Sequence, residues 1–313
     1  NAYNTAVGYH SGKLVTTGIQ NTLIGGQAGD ALSDADYNVA IGISALGADT
    51  LGSRSVAIGR AALSTQNFTT ATDSYNTAVG FDAGAASTTG VYNTLIGGLA
   101  GDALTDGDAN TAVGMWSLSG VVTGDNNTAV GYRAMISNTS GYNNTGLGKD
   151  ALHLNTVGLY NTAVGEGALY TNVDGSNSVA VGRLALYTQD PATATDMYNT
   201  AVGYGAGQSV TTGVQNVYIG SLCGDTVDDS SYNVGVGHSA LSAQNGDSNT
   251  AVGRSAGEAC SGSENVYIGK GAAQSVTSAT NNVVIGFNAV NQQALTGTQN
   301  TVCLLYTSPS PRD

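Results

Sequence analysis

One five-residue pattern, Asn/Ser-Thr/Val-x-Val/Ile/Leu-Gly, governs this chain. It begins at Asn4 and returns at Asn21, Asn38, Ser55, Asn76, Asn93, Asn110, Asn127, Asn144, Asn161, Ser178, Asn199, Asn216, Asn233, Asn249, Asn265 and Asn282, with an unfinished copy at Asn300. The step is 17 residues except for two of 21, two of 16 and the last. Self-similarity at such a period identifies a repeat architecture, in which each unit buries its apolar face only against its neighbours. The two 21-residue steps carry related inserts, TQNFTTATDSY and TQDPATATDMY, offset by 123 residues, which points to duplication of a seven-rung block.

The pentad reads as a short strand. Position two is Thr or Val and position four is Val, Ile or Leu, a β-branched pattern that fits a strand far better than a helix. Side chains alternate along a strand, so positions two and four share one face and positions one and three the other. The β-branched columns (Thr5, Thr22, Val39, Val56 and Val7, Ile24, Ile41, Ile58 in the first four rungs) are expected to be the buried face. The Asn and Ala columns are then expected outside, the Ala column as a self-association surface and the stacked amides as a hydrogen-bonded ladder.

Three residues after each pentad Gly stands Ala in fourteen copies, Ser in two and Cys in one, followed in most by Leu or Gly. Small residues there suggest a second wall close to the first. Thr-Thr-Gly, Thr-Ser-Gly and Asp-Gly segments then close the rung with a turn. The expected fold is all-β, a parallel β-solenoid or β-roll of about 17-residue rungs over residues 1–302. Eighteen rungs at the inter-strand spacing of about 4.8 Å would span on the order of 85 Å. The core per rung is thin against the ordering entropy of its backbone, so self-association is expected, with cyclic symmetry the commonest way to close it.

Copies such as YNTAVGYHSG, NTLIGGQAGDAL, NVAIGISAL and SVAIGRAAL resemble the YadA-like head repeats of trimeric autotransporter adhesins. They resemble more closely the repeat region of tail-fibre proteins of marine tailed phages. The resemblance covers residues 1–302 and implies a β-roll that forms a homotrimeric fibre, intertwined or side by side, in an extracellular attachment structure. The implied roles are the shaft of a phage tail fibre, on the virion, or a bacterial surface adhesin head, on the outer surface. A cell-surface glycan or protein receptor is the implied partner. The step of 17, longer than is usual in adhesin heads, favours the fibre. Residues 303–313, CLLYTSPSPRD, break the pattern and look like translated sequencing adapter, expected to be non-native.

Composition narrows the chemistry. A net charge of −13 with nine Lys+Arg excludes the basic stripes that phosphate backbones require, so no nucleic-acid partner is expected. No apolar run reaches the roughly 18 residues of a membrane span, so this segment is not expected to insert in a bilayer. No catalytic or cofactor-binding set stands out, and no enzyme is expected. His10, His153 and His238 occupy different rung positions without acidic or thiol partners at useful spacing, and the cations look scattered. Cys223 replaces the small core Ala, and Cys260 is expected in a surface turn.

The one metal candidate is acidic. AGDALSDADYN groups Asp30, Asp34 and Asp36, and AGDALTDGDAN groups Asp102, Asp106 and Asp108; such oxygen clusters are of the type that holds Ca²⁺. Their spacing matches neither an EF-hand nor a calcium β-roll, and Asp-capped turns are the competing reading. Tyr before the pentad (Tyr3, Tyr37, Tyr75, Tyr92, Tyr160, Tyr198, Tyr232) would form a broken stripe, with packing at the strand entry the competing reading to sugar stacking. The Thr column raises an ice-binding idea, set aside here because that column is expected to point inward.

Overall fold

The computed structural model describes residues 2–120, 123–243, 246–290 and 298–303. Among these there is no helix; every regular element is a strand of two or three residues. The chain forms two compact units, residues 1–167 and 168–313. The expected break at residue 303 falls at the end of strand Thr301–Cys303, and residues 304–313 lie outside the described residues.

Both units are parallel β-solenoids. In the first, the middle three residues of each pentad form the strand, from Thr5–Val7 to Thr162–Val164, and each pairs in parallel with its counterpart one repeat on, as Thr5 with Thr22 and Val39 with Val56. The second stacks Val179–Val181, Thr200–Val202 and their successors the same way up to Thr301–Cys303. The inserts occupy one place in the coil. Gly52–Ser53 pairs with Thr72–Asp73 in the first unit, and Gly175–Ser176 with Thr195–Asp196 in the second, 123 residues later. The duplication read from the sequence is thus a duplication of structure.

The faces are the reverse of the expectation. Position three is the buried one: Leu23, Ala40, Ala57, Ala78, Leu95, Tyr218 and Tyr267 are all within 1 % of full burial. Position one is buried too, including Asn21, Asn38, Asn93, Asn110, Asn127, Asn216 and Asn233. Positions two and four point outward, half-buried or exposed. Since strand side chains alternate with period two, one wrong face moves every column. The physical reason is the hydrogen bonding of the Asn. Asn21 Oδ1 accepts the backbone N–H of Asn38 (2.9 Å), and its Nδ2 donates to the Ala35 carbonyl (2.7 Å). Asn93, Asn110 and Asn127 repeat this arrangement rung by rung. An amide so satisfied can be buried at little cost, whereas a narrow coil has no room for two β-branched columns.

The ladder therefore runs side chain to backbone through most of its length. Direct amide-to-amide bonds of the expected kind join the pentad Asn residues from Asn249 on, as Asn265 Nδ2 to Asn249 Oδ1 (3.0 Å). Where Ser55 and Ser178 replace Asn, at the rungs that bear the inserts, a Gln from the insert supplies the missing amide. Gln66 donates to Ser55 Oγ (2.9 Å) and Asp49 Oδ2 (2.6 Å) and accepts from Asn76 Nδ2 (2.9 Å). Gln189 does the same with Ser178, Asn172 and Asn199 in the second unit.

The opposite wall supplies the rest of the core: the Ala column (Ala28, Ala45, Ala62, Ala83), the Leu or Gly after it, and a column seven residues past the pentad Gly. That last column, of which Cys260 alone was expected in a turn, holds buried Leu32, Leu104, Asn138, Asn155, Val210, Val227 and Cys260. Volumes compensate across the coil. Leu23 and Leu95 at position three lie against Gly12 and Gly29, and Gly84 and Gly101, where an added Cβ would come within 2.8 Å of the Leu side chain. Tyr218 is likewise seated on Gly207 and Gly224. Conversely, Gly146 stands at position three beneath Met135. The pentad Gly has a separate reason: at φ of +124 to +148°, a Cβ there would meet the carbonyl of the next pentad Gly at 2.1–2.7 Å.

Two stability predictions follow from this packing. Asn110→Ala strands the Asn127 N–H and the Gly124 carbonyl in the interior and is expected to cost about 2–5 kcal/mol, more than the about 1 kcal/mol of an ordinary hydrogen bond, in urea denaturation. Asp49 is buried and accepts from Gly52 N, Phe68 N and Gln66; burial pushes its carboxyl above the ordinary value of 3.8, and those three bonds offset part of the rise. A carboxyl raised in the folded state favours folding fully below its unfolded pKa, and that advantage is lost as pH rises through its folded value. The equivalent position in the second unit is Asn172. Asp49→Asn is therefore expected to raise the melting temperature at pH 7 and leave it nearly unchanged at pH 3; a lower melting temperature at pH 7 would contradict the assignment.

Candidate functional site

The outward columns make the most extended surface feature of each unit. Position four lines up Val7, Ile24, Ile41, Ile58, Val79, Ile96, Val113, Val130, Leu147 and Val164 in the first unit, and Val181, Val202, Ile219, Val236, Val252, Ile268 and Ile285 in the second. Val7 is 58 % exposed, Leu147 46 % and Ile219 41 %. Beside it runs position two, Thr or Val throughout, including six consecutive rungs of Thr from Thr77 to Thr162. Neither column carries a charge. The premise that set aside an ice-binding face, an inward Thr column, is overturned by this geometry.

Two further columns flank this strip. On one side is the residue before the pentad, held at positive φ in rung after rung. Its Tyr residues are exposed rather than packed at the strand entry as the competing reading had it: Tyr75, Tyr92, Tyr160, Tyr198 and Tyr232 all exceed half exposure or reach it. Tyr75 and Tyr92 stack with centroids 5.9 Å apart. Arg54 lies over the Tyr37 and Tyr75 rings.

On the other side is the residue after the pentad Gly. The cations are not scattered: Arg60, Lys149, Arg183, Arg254 and Lys270 all occupy this place, interspersed with Tyr9, Phe81, Tyr132, Tyr204 and Phe287. Three cation–aromatic contacts result within the column, Arg60 with Phe81, Arg183 with Tyr204 and Lys270 with Phe287, at 5.0–5.7 Å, and Arg133 from the adjacent position lies 5.0 Å from the Tyr132 ring. The signal was legible once the rungs were aligned, since the column is set by its distance from the pentad Gly.

The acidic candidates sit on the turns. Asp36 Oδ1 accepts the Ile19 N–H and Asp108 Oδ1 the Val91 N–H, each at 2.8 Å, so both act as caps on the neighbouring rung. Asp34 accepts from Thr17 Oγ1 and Asp106 from Thr105 Oγ1. Asp30 and Asp102 stand nearer the second wall, half-buried, with one Asp102 oxygen unpaired. Among the described residues, no group of three His, Cys, Asp or Glu side chains is placed to hold a metal ion.

One charge cluster escaped the sequence reading. Arg133 Nε and Nη2 reach Asp150 at 2.8 and 3.1 Å, Lys149 Nζ lies 3.6 Å from it, and His153 Nδ1 lies 3.2 Å from the same carboxylate. His153 thus has the acidic partner it was not expected to have, at i−3. Burial dominates and keeps its imidazole below its ordinary value, against the pull of Asp150. The cluster fastens adjacent rungs.

Cys223 is buried in the Ala column as expected, but Cys260 is buried as well, against expectation, its Sγ 3.4 Å from Tyr267 Oη. Burial pushes the Cys223 thiol up to about 12 and raises that of Cys260. Both are expected to resist a thiol reagent in the native protein, where exposed Cys303 reacts, and to react only after denaturation. Rapid labelling of more than one thiol in native buffer would contradict this. Comparison with family models, curated proteins and solved structures returns no match.

Proposed function

We propose that this chain is a segment of an extracellular attachment fibre, the shaft of a phage tail fibre, whose solenoids associate side by side as a homotrimer. The observation that carries the reading is the outward aliphatic column. A continuous uncharged strip of Thr/Val and Val/Ile/Leu, repeated at every rung and flanked by exposed Tyr, is far more ordered than the isolated apolar residues of an ordinary surface. Its regular spacing suits a second copy of the same chain, because identical rungs present identical columns, and closed cyclic symmetry satisfies all copies at once. The interface is thus placed on the Val/Ile face rather than on the Ala column. Self-association also supplies the apolar burial that each coil lacks alone.

Such a shaft acts by spacing and display. Its parallel strands are bonded along the stacking direction, so load is carried by the backbone ladder of each unit, and its exposed Tyr and cationic columns are available to surface polymers. The resemblance of the repeats to tail-fibre sequences supports the virion over the bacterial surface.

The test is the mass of the chain in solution by size exclusion with light scattering. Three chains per particle are expected, with no change on adding chelator. Val113→Lys with Val130→Lys points two ammonium groups out of the strip. It is expected to leave a folded single chain by circular dichroism while weakening assembly by about 100-fold or more, the few kcal/mol of a buried unpaired charge. A folded, monodisperse wild-type monomer would overturn the proposal.

A further inference from the structure

In the second unit the cationic column opens into a cleft of about 260 Å³ lined by Arg254, Ser255, Lys270, Gly271, Gln274 and Asn288. Three features set it apart. First, its cations stand one rung apart and are held in register by the backbone, with Gly271 N donating to the Arg254 carbonyl (2.9 Å) and Asn288 N to the Lys270 carbonyl (2.8 Å). Secondly, the other cations of this column in the first unit are neutralised, Arg60 by Asp82 and Lys149 by Asp150 and Glu166, whereas among the described residues Arg254 and Lys270 form no ion pair. The nearby Glu258 carboxylate is engaged instead by Gln274 Nε2 at 2.6 Å. In a chain of net charge −13, two adjacent unneutralised cations are an exception.

Thirdly, the floor is made of acceptors. A Cβ added at Gly271 would lie 2.4 Å from Asn288 Oδ1 and 3.4 Å from Gln274 Oε1, so the missing side chain leaves two amide oxygens bordering the space. Phe287, 67 % exposed, lies with its ring 5.2 Å from Lys270 Nζ and offers an apolar face at the rim.

The geometry points to a binding site for an acidic sugar residue of a surface polysaccharide, its carboxylate or sulfate between Arg254 and Lys270, its hydroxyls on the oxygens of Gln274 and Asn288, and its apolar ring face on Phe287. Guanidinium and ammonium groups together favour an oxyanion through charge-assisted hydrogen bonds. The acceptor floor argues against a bare inorganic anion, which has no hydrogens to donate, and a volume just under that of common small-ligand pockets fits one ring. This deepens the attachment role proposed above and rests on it for its biological meaning, but not on the oligomeric state.

The test is calorimetric titration of the full chain with tetragalacturonate, a heparin tetrasaccharide, maltotetraose and sodium sulfate. At least one acidic oligosaccharide is expected to bind, the carboxylate and sulfate arms telling which group is preferred, while maltotetraose does not. Arg254→Gln with Lys270→Gln is expected to weaken binding by at least about tenfold per cation removed. Gly271→Asn, at a left-handed φ of 65° in the region that Asn288 also occupies (49°) one rung on, should fill the floor and abolish binding without unfolding the chain. Arg60→Gln, in the same column but outside the cleft, should change nothing. Failure of both acidic sugars, undiminished binding by the double variant, or equal affinity for inorganic sulfate would overturn the site. Light scattering on the same samples separates this from the fibre proposal: binding by a monomer would keep the cleft and remove the fibre interface, and a trimer that binds neither sugar would do the reverse.

Discussion

The structure depends on one hydrogen-bonding arrangement, the Asn side chain whose oxygen receives the backbone N–H of the next rung's Asn while its amide nitrogen caps a turn carbonyl of its own coil. A strand of three residues has too few ladder bonds to hold a coil by itself. The buried amide joins strand, turn and neighbouring rung at one point, in an interior where an unmade bond is costly. Its geometry also requires that position one face inward. Everything else about the orientation of the rung follows from that.

With Asn and position three inside, the space left is small and is shared across the coil. Leu95 is accommodated because Gly84 and Gly101 are not Leu; Gly146 is tolerated because Met135 reaches it. The core is thus a set of local exchanges between facing positions, consistent with an architecture in which each rung answers mainly to its neighbours. The inserts obey the same logic. Losing Asn at Ser55 and Ser178 would open the ladder, and Gln66 and Gln189 close it.

The same constraint creates the functional surface. Because alternation leaves no choice, an inward Ala puts the β-branched residues on the outside, where they form a strip too regular and too apolar to be incidental. The Tyr and cationic columns beside it inherit that regularity. Attachment chemistry on a solenoid needs no separate domain, since a single substitution in one rung is automatically aligned with its counterparts in the next.

The sequence by itself determined the repeat, its step, the strand within each pentad, the parallel stacking and the duplicated block, because these depend on periodicity and on backbone preferences that are local. It did not determine which face was inside. Hydrophobicity ranks Val and Ile above Asn and Ala for burial, and only the closed coil shows that the amide bonds through its oxygen and its nitrogen in most rungs and that a larger inward side chain is seated against Gly. Cys260 and Leu32 were misplaced or missed for the same reason: a turn by composition became a core wall once the chain closed. The cation column was present in the sequence at a fixed distance from Gly. Whether those cations were neutralised was decided largely by residues one rung away, Asp82 for Arg60 and Glu166 for Lys149, and so by the tertiary structure.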